Sequence, residues 1–247
     1  MPTFLVLHLD APLLSFGAPA VDKHGVIQRM PALSMVTGLV ANALGYDHAE
    51  AEKTTRMQER LRFGARCDLP GERLVDYHTV FLGHPYLEKG WTTRGRVDGR
   101  GGASSDETHE RYRHYFADAA YTLAVTLEPA DEAPTLDELE QALREPERPL
   151  FLGRKCCLPS TPVLAGRIEA GSIREALEKA PLPPERARWM ESRTLTAWWP
   201  AGSALEGDDE ASRIVPVTDE RDWVNQIHGG RRFWREGRVT VTEANHE

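Results

Sequence analysis

Two hydrophobic periodicities alternate along the first part of this chain, and their order limits the fold more than any other feature. Thr3 to Asp10, "TFLVLHLD", is a β-prone alternating stretch and reads as a strand. After a loop rich in glycine and proline, "ALSMVTGLVANALGY" places Leu33, Val36, Leu39, Val40, Ala43 and Leu44 at helical spacing, with Gly45 as the stop. "LRFGARCD" and "RLVDYHTVFLG" read as two strands around the turn "LPGE". Between His84 and Glu110 the periodicity dissolves into "GRVDGRGGASSDE", which reads as a mobile loop or extended hairpin. "RYRHYFADAAYTLAVTLEP" then reads as one long strand. "TLDELEQALREP" reads as a helix, with Thr135 as N-cap, acids in its first turn and Arg144 near its end. The order β, α, β, β, break, β, α predicts an α+β fold close to a ferredoxin-like βαββαβ unit. Further on, "SIREALEKAP" reads as a short helix, while "RWMESRTLTAWWPA" and "RRFWREGRVTVTE" read as strands.

Charge narrows the functional classes. With 38 acidic and 30 basic side chains among 247 residues, the net charge is −8. A whole-surface attraction to nucleic acid or anionic membrane is not expected, so anion binding must be local. No apolar run approaches the roughly 20 residues a membrane span needs. The three cysteines, Cys67, Cys156 and Cys157, form no disulfide framework and suit a reduced, cytoplasmic setting.

Several chemistries lack their motif. No C-x-x-C or H-E-x-x-H spacing is present, so neither a metal nor a cofactor is expected. "GRVDGRGG" is not a phosphate-cradling loop, and there is no G-x-S-x-G elbow. Local cations remain. Lys89, Arg94, Arg96 and Arg100 lie in the aperiodic stretch; Arg111 and Arg113 flank Tyr112; Arg154 and Lys155 follow Gly153; Arg231, Arg232, Arg235 and Arg238 surround Phe233 and Trp234. Cations interleaved with rings suit single-stranded RNA, the cations taking phosphates and the rings stacking bases. In "DYHTV", Tyr77 and His78 fall on opposite faces of a strand. His78 could act as a general base toward a 2′-hydroxyl and Tyr77 could stack a base.

The combination of "LVLHLDAPLLSFG", "GLVANALGY", "RCD", "DYHTV", "DETHERYRHYFADAAYTLAV" and "FLGRKCCLP" resembles the CasD-type subunits of type I-E CRISPR Cascade complexes. These are one branch of the repeat-associated mysterious proteins. The likeness runs through residues 3 to 165. It implies a ferredoxin-like (RRM-like) RNA-binding domain at 1–165 with a β-hairpin thumb at about 82–110, and a smaller β-rich C-terminal part at 166–247. It implies a non-catalytic holder of the CRISPR RNA 5′ handle that caps the complex backbone. The partners would be a CasC-type backbone subunit and a CasA-type large subunit, with target DNA reached only through the assembly. The implied RNA-binding residues are Arg29, Tyr77, His78, Arg94, Arg96, Arg100, Arg111, Tyr112, Arg113, Arg154 and Lys155. Arg29 stands in for a basic residue before the first helix. Gly153 would let the backbone bend while Arg154 and Lys155 reach the RNA or the sheet edge. The competing reading is a metal-independent endoribonuclease using His78 or Tyr77 with Lys155.

Overall fold

The computed structural model describes residues 1–19, 22–47, 49–84, 86, 89–91, 96–99, 108–189, 192–203, 205–206 and 212–242, and for Trp91 the backbone alone. In chain order the strands are β1 (Thr3–Asp10), β2 (Leu13–Leu14), β3 (His24–Gly25), β4 (Leu61–Leu69), β5 (Glu72–Phe81), β6 (Lys89–Trp91), β7 (Val97–Gly99), β8 (Thr108–Ala117), β9 (Ala120–Leu127), β10 (Leu164–Glu169), β11 (Thr194–Pro200), β12 (Arg213–Val217), β13 (Glu220–Asp222), β14 (Ile227–Gly229) and β15 (Arg232–Thr240). The helices are α1 (Leu33–Ala43), α2 (Ala51–Arg60), α3 (Leu136–Arg144), α4 (Ile173–Lys179) and α5 (Pro184–Ala187). This is a mixed α+β, sheet-rich fold. Among the described residues no helix is long and apolar enough to cross a membrane.

Seven strands form one antiparallel sheet in the order β10-β1-β9-β4-β11-β15-β12. Both faces are covered at the middle of the sheet, where β1 and β9 are buried almost throughout, while β10, β12 and β15 are partly exposed. Leu5, Leu7 and Leu9 of β1 join Leu123 and Val125 of β9 in the larger core, under Val36 and Val40 of α1 and Leu139 and Leu143 of α3. Phe4, Ala124 and Trp199 point the other way and pack on Ile173 and Leu177 of α4. Alternating side chains thus feed two cores from one sheet. Helix α3 starts as its sequence dictates: Thr135 and Glu138 close a reciprocal capping box.

Two readings of the sequence need correction. "RYRHYFADAAYTLAVTLEP" is not one strand. It breaks at Asp118, which takes a φ of 54°, and divides into half-exposed β8 and fully buried β9. Correspondingly, β5, from "RLVDYHTVFLG", does not enter the main sheet. It pairs with β8 in a long hairpin, from Glu72↔Ala117 to Phe81↔Thr108. The physical reason is burial. A strand inside a two-layered core must be apolar on both faces, as β9 is; β5 carries Asp76, His78 and Arg73 and is exposed along most of its length. The other edge of β8 pairs with β2 at Phe116 and Ala117 and with β3 at Tyr112 and Arg113. Helix α2 and the strands β12 to β14 are not among the elements read from the sequence.

The C-terminal stretch is built into the N-terminal one. Helix α1 starts at Ala32, which has no capping side chain. Its first amides are satisfied from residue 219 instead: Leu33 N–H donates to Asp219 Oδ2 at 2.9 Å and Ser34 N–H to the Asp219 carbonyl at 3.0 Å. The buried Asp219 carboxylate also faces the Arg232 guanidinium at 3.6 Å. We predict that Asp219→Ala, which removes a helix cap and strands a largely buried cation, lowers stability by about 3 kcal/mol. Asp219→Asn, which keeps an acceptor for Leu33, should lose clearly less. Urea unfolding of the three proteins checks the ranking.

Candidate nucleic-acid interface

The segment Phe151–Cys157 forms a tight turn held from three sides. Ser15 N–H donates to the Leu152 carbonyl, Leu152 N–H to Cys157, and Cys157 N–H back to Arg154. Gly153 takes a φ of 106°, and a Cβ there would be driven into the Ser15 carbonyl, so only glycine fits. Arg154 leaves this turn toward β8. Its two terminal nitrogens donate to the carbonyls of His114 at 2.8 Å and Gly25 at 2.9 Å, and its guanidinium lies 4.8 Å from the Tyr115 ring centre. His114 falls in the gap between β2 and β3 along the edge of β8. Arg154 therefore fills the place of a missing strand residue. Gly25 leaves it room, since a Cβ there would come within 2.5 Å of the guanidinium. Cys157 is buried behind the turn, and desolvation pushes its thiol up to about 11, which suits packing rather than nucleophilic chemistry.

The hairpin sorts its functional side chains by face, as period-two alternation requires. On one face Tyr77, Tyr112 and His24 stand at one level of three adjacent strands. Their ring centres are 5.0 Å apart for Tyr77–Tyr112 and 4.8 Å for Tyr112–His24. Lys23 Nζ lies 5.2 Å from the Tyr112 ring centre and bonds Glu110 at 2.9 Å, while the Tyr77 hydroxyl donates to the same carboxylate at 2.7 Å. That bond to Glu110 pushes the Tyr77 phenol up to about 12. The rings of Tyr77 and Tyr112 already face each other, so a base meets the end or the edges of this ladder. On the opposite face lie Arg111, Arg113, Asp76 and His78. His78 Nε2 is hydrogen-bonded to Asp76 Oδ2. Arg111 and Arg113 are exposed; Arg111 bonds only the adjacent Glu110 carbonyl, and Arg113 has no polar partner among the described residues.

Lys155 points away from the hairpin, into a groove over α1. One lobe of 430 Å³ is bounded by Ser34, Gly38, Lys155, Arg221, Trp223 and His228. A second of 510 Å³ shares Gly38, Asn42, Lys155 and Trp223 and adds Arg148. Arg29 lies elsewhere, 5.7 Å from the Trp198 ring centre and 3.3 Å from Glu236. Two cations of "RRFWREGR" are half-buried, Arg232 facing Asp219 and Arg235 pairing with Glu206, while Arg231 and Arg238 are exposed, Arg238 donating to the Thr194 carbonyl; Trp234 is fully buried. Of the residues singled out in the sequence, Arg111 and Arg113 come together with His78, and Tyr77 with Tyr112. Arg154 holds the scaffold between them, Arg96 is an exposed residue just ahead of β7, and Arg94 and Arg100 fall outside the described residues. Sequence reasoning missed Lys23, His24, Arg221 and Trp223. "RDW" sets a cation and a ring two residues apart around an acid, a weaker signal than the ring flanked by two cations in "RYR".

An exposed hairpin presenting rings on one face and guanidinium groups on the other, on an α+β sheet, has the chemistry that single-stranded nucleic acid requires. Residues 4–235 match the family described as CRISPR-associated protein (Cas_Cas5). The chain belongs to that family. It is 31% identical over 185 residues to the CRISPR system Cascade subunit CasD of Escherichia coli (strain K12), spanning 72% of this chain and 76% of the relative. A chain of a solved CRISPR RNA-guided surveillance complex superimposes with a TM-score of 0.64 at 26% identity, over 96% of this chain and 90% of that one. A solved structure described as a Cas protein gives 0.61 at 26% identity, covering 98% and 99%.

Two measurements follow from this geometry. Arg154→Lys keeps the charge but cannot bridge two carbonyls, so it should destabilise the protein by about 1–3 kcal/mol in thermal or urea unfolding. Tyr77 should ionise near 12, above the 10.0 of a free phenol. A raised folded pKa means that the contact with Glu110 is intact below pH 10 and is lost as pH rises through the folded value. Ultraviolet difference titration against Tyr77→Phe reads this directly.

Proposed function

We propose that the protein is a non-catalytic subunit of a type I-E Cascade surveillance complex. In this reading it binds the 5′ handle of the CRISPR RNA, caps the backbone and supports targeting of invading DNA. The observation that carries it is the exposed pair Arg111 and Arg113 on one face of the β5–β8 hairpin, in a chain akin to a Cascade subunit. Their charge is available for phosphate, and on a net-acidic chain it makes this face a favoured place for the RNA backbone. The hairpin is the thumb, its tip within 82–110. Tyr77 and Tyr112 offer ring edges to unpaired bases, and Arg154 positions the strands that carry them. Arg29, Arg94, Arg96, Arg100 and Lys155 are further candidate contacts along the path.

The strand order β10-β1-β9-β4, with α1 and α3 packed into the core on one face, supports a ferredoxin-like core within 1–165. Residues 166–247 then form the smaller part, which extends the sheet through β11, β15 and β12. The CasC-type and CasA-type subunits are the proposed neighbours, in the cytoplasm, with no membrane involved. The nuclease alternative is disfavoured by geometry. Tyr77 and His78 lie on opposite faces of β5, a phenol that ionises near 12 is a poor base at neutral pH, and Lys155 opens into the α1 groove.

The test is reconstitution with CRISPR RNA and partner subunits. Arg111→Ala or Arg113→Ala should weaken retention of the handle by about 1–3 kcal/mol each and lower the salt dependence of binding by about one counterion. Incubation with repeat RNA and chelator should leave the RNA intact. Unchanged retention in both variants, or a 2′,3′-cyclic phosphate product, would overturn the proposal.

A further inference from the structure

Two thiols stand side by side at the end of the Gly153 turn, and the proposed function uses neither. They differ in their access to solvent: Cys156 is exposed and Cys157 is buried. The Cys156 sulfur lies 3.5 Å from the Tyr115 hydroxyl, and the Arg154 guanidinium stands 4.8 Å from the ring centre of the same tyrosine. Burial raises the Tyr115 phenol, which therefore keeps its proton at neutral pH. Desolvation first, and then the charge of Cys156 beside it, pushes the Cys157 thiol up. An oxidant in solution thus meets Cys156, with a sheltered second thiol as its immediate neighbour. Redox-sensing cysteines are built in this way, an accessible thiol next to a resolving one. The third cysteine, Cys67, lies in β4, where burial pushes its thiol up to about 11.

The backbone bonds of the turn converge on Cys157. Its N–H donates to the Arg154 carbonyl at 2.8 Å, and its carbonyl accepts from Leu152 N–H at 2.8 Å. Consecutive Cα atoms are about 3.8 Å apart, closer than the span of about 4.4–6.8 Å that disulfides usually bridge. A bond between these neighbours closes a small, strained ring and moves the backbone of both residues. It draws the Cys157 side chain from behind the turn toward Cys156 and opens the bonds at Leu152 and Arg154. Arg154 then loses its footing, and with it goes the brace on the His114 and Gly25 carbonyls. A strained disulfide is also readily reduced by small thiols, so the change is reversible.

We propose that Cys156 and Cys157 are an oxidative modification site for hydroperoxides, forming a reversible disulfide that releases Arg154 from the edge of β8. In the first step the Cys156 thiolate attacks a peroxide oxygen. The O–O bond breaks, Cys156 becomes a sulfenic acid, and the departing oxygen takes up the proton the thiol gave, leaving as water or an alcohol. In the second step the Cys157 sulfur attacks the sulfenic sulfur. The S–O bond breaks, and the departing hydroxide leaves with the Cys157 proton as water. The Tyr115 hydroxyl, beside Cys156, is placed to hydrogen-bond that oxygen. The two thiols lose two electrons and two protons, and the peroxide gains them. Cys157 is too well protonated to compete for peroxide itself, but its attack needs no encounter, because its target is fixed on the adjacent residue. The site is independent of the RNA-binding reading.

The test treats the reduced full-length chain with hydrogen peroxide, blocks the remaining thiols with iodoacetamide and digests the protein with trypsin. Cleavage after Lys155 and Arg167 isolates both cysteines in "CCLPSTPVLAGR", and cleavage after Arg66 and Arg73 places Cys67 in "CDLPGER". The first peptide should emerge unblocked and about 2 Da lighter than its reduced form, and dithiothreitol should restore two free thiols, while the second peptide stays reduced throughout. In the oxidised protein the amides of Leu152 and Cys157 should exchange with solvent about tenfold faster, as read by nuclear magnetic resonance. Cys156→Ser, an exposed change, should abolish both effects and leave the exchange of untreated protein as it was. Sulfinic acid at Cys156 with Cys157 still free would overturn the pairing, as would a disulfide to Cys67 or between two chains. A lighter peptide whose Leu152 and Cys157 amides stay as protected as before would overturn the release of Arg154. Retention of the handle by untreated protein is measured separately: its loss sinks the RNA-binding reading alone, and a missing disulfide sinks only this proposal.

Discussion

Arg154 is the contact that joins the free edge of β8 to the Gly153 turn and to the loop before α1. Strand β8 has β5 along one edge, but its other edge is served by two fragments of two residues each, and the His114 carbonyl lies between them. A guanidinium can satisfy that carbonyl and the one at Gly25 together because its donors are fixed in a plane. The arrangement demands a residue without a side chain at Gly25 and a left-handed bend at Gly153. One ion thereby joins the loop before α1, the hairpin and the Gly153 turn.

The hairpin itself follows from the simplest rule of extended chains. Successive side chains point to opposite faces, so a sequence that interleaves cations with rings cannot present both to one side. "RYR" reads as a mixed RNA-binding cluster, but the strand separates it into an aromatic ladder and a guanidinium face. The ladder is partly spent on itself: Tyr112 lies between Tyr77 and His24, and Glu110 ties Tyr77 to Lys23. What faces solvent with unsatisfied charge is the other side. Guanidinium charge and aromatic surface are therefore divided in space, and under the proposed function a strand of RNA using both would bend around the hairpin rather than lie flat on it.

Much of this was legible in the sequence because the signals were local. The capping box at Thr135, the helical spacing from Leu33 to Leu44 and the alternation of Thr3 to Asp10 each carry their cause within a few residues. The failures were of partnership. Nothing near "YFADAAY" announces that the strand breaks at Asp118 and passes from one sheet to the other, because the evidence is burial: β9 is buried on both faces and β8 is not. Helix α1 lacks a capping residue of its own, and Asp219, which supplies the cap, is far away in the chain. The groove was hidden for the same reason, since Lys155, Gly38 and Arg221 come from three distant segments and only the fold brings them together.

That distance has a consequence for how the protein works as a unit. The β13–β14 hairpin supplies Arg221, Trp223 and His228 to the groove, and the residue before it, Asp219, caps α1, whose Gly38 forms the groove's floor. The same short segment thus starts the helix and walls the cleft beside it. A change that loosens it frays the amides of Leu33 and Ser34 and opens the cleft together. Arg232, which faces Asp219 from β15, ties this segment back to the main sheet through a contact whose strength depends on exclusion of water. The segment from β12 to β15 is therefore no appendage to the strands and helices before it. It determines whether the surface around Lys155 exists, and charge in the groove and packing in the sheet rise or fall with the same carboxylate.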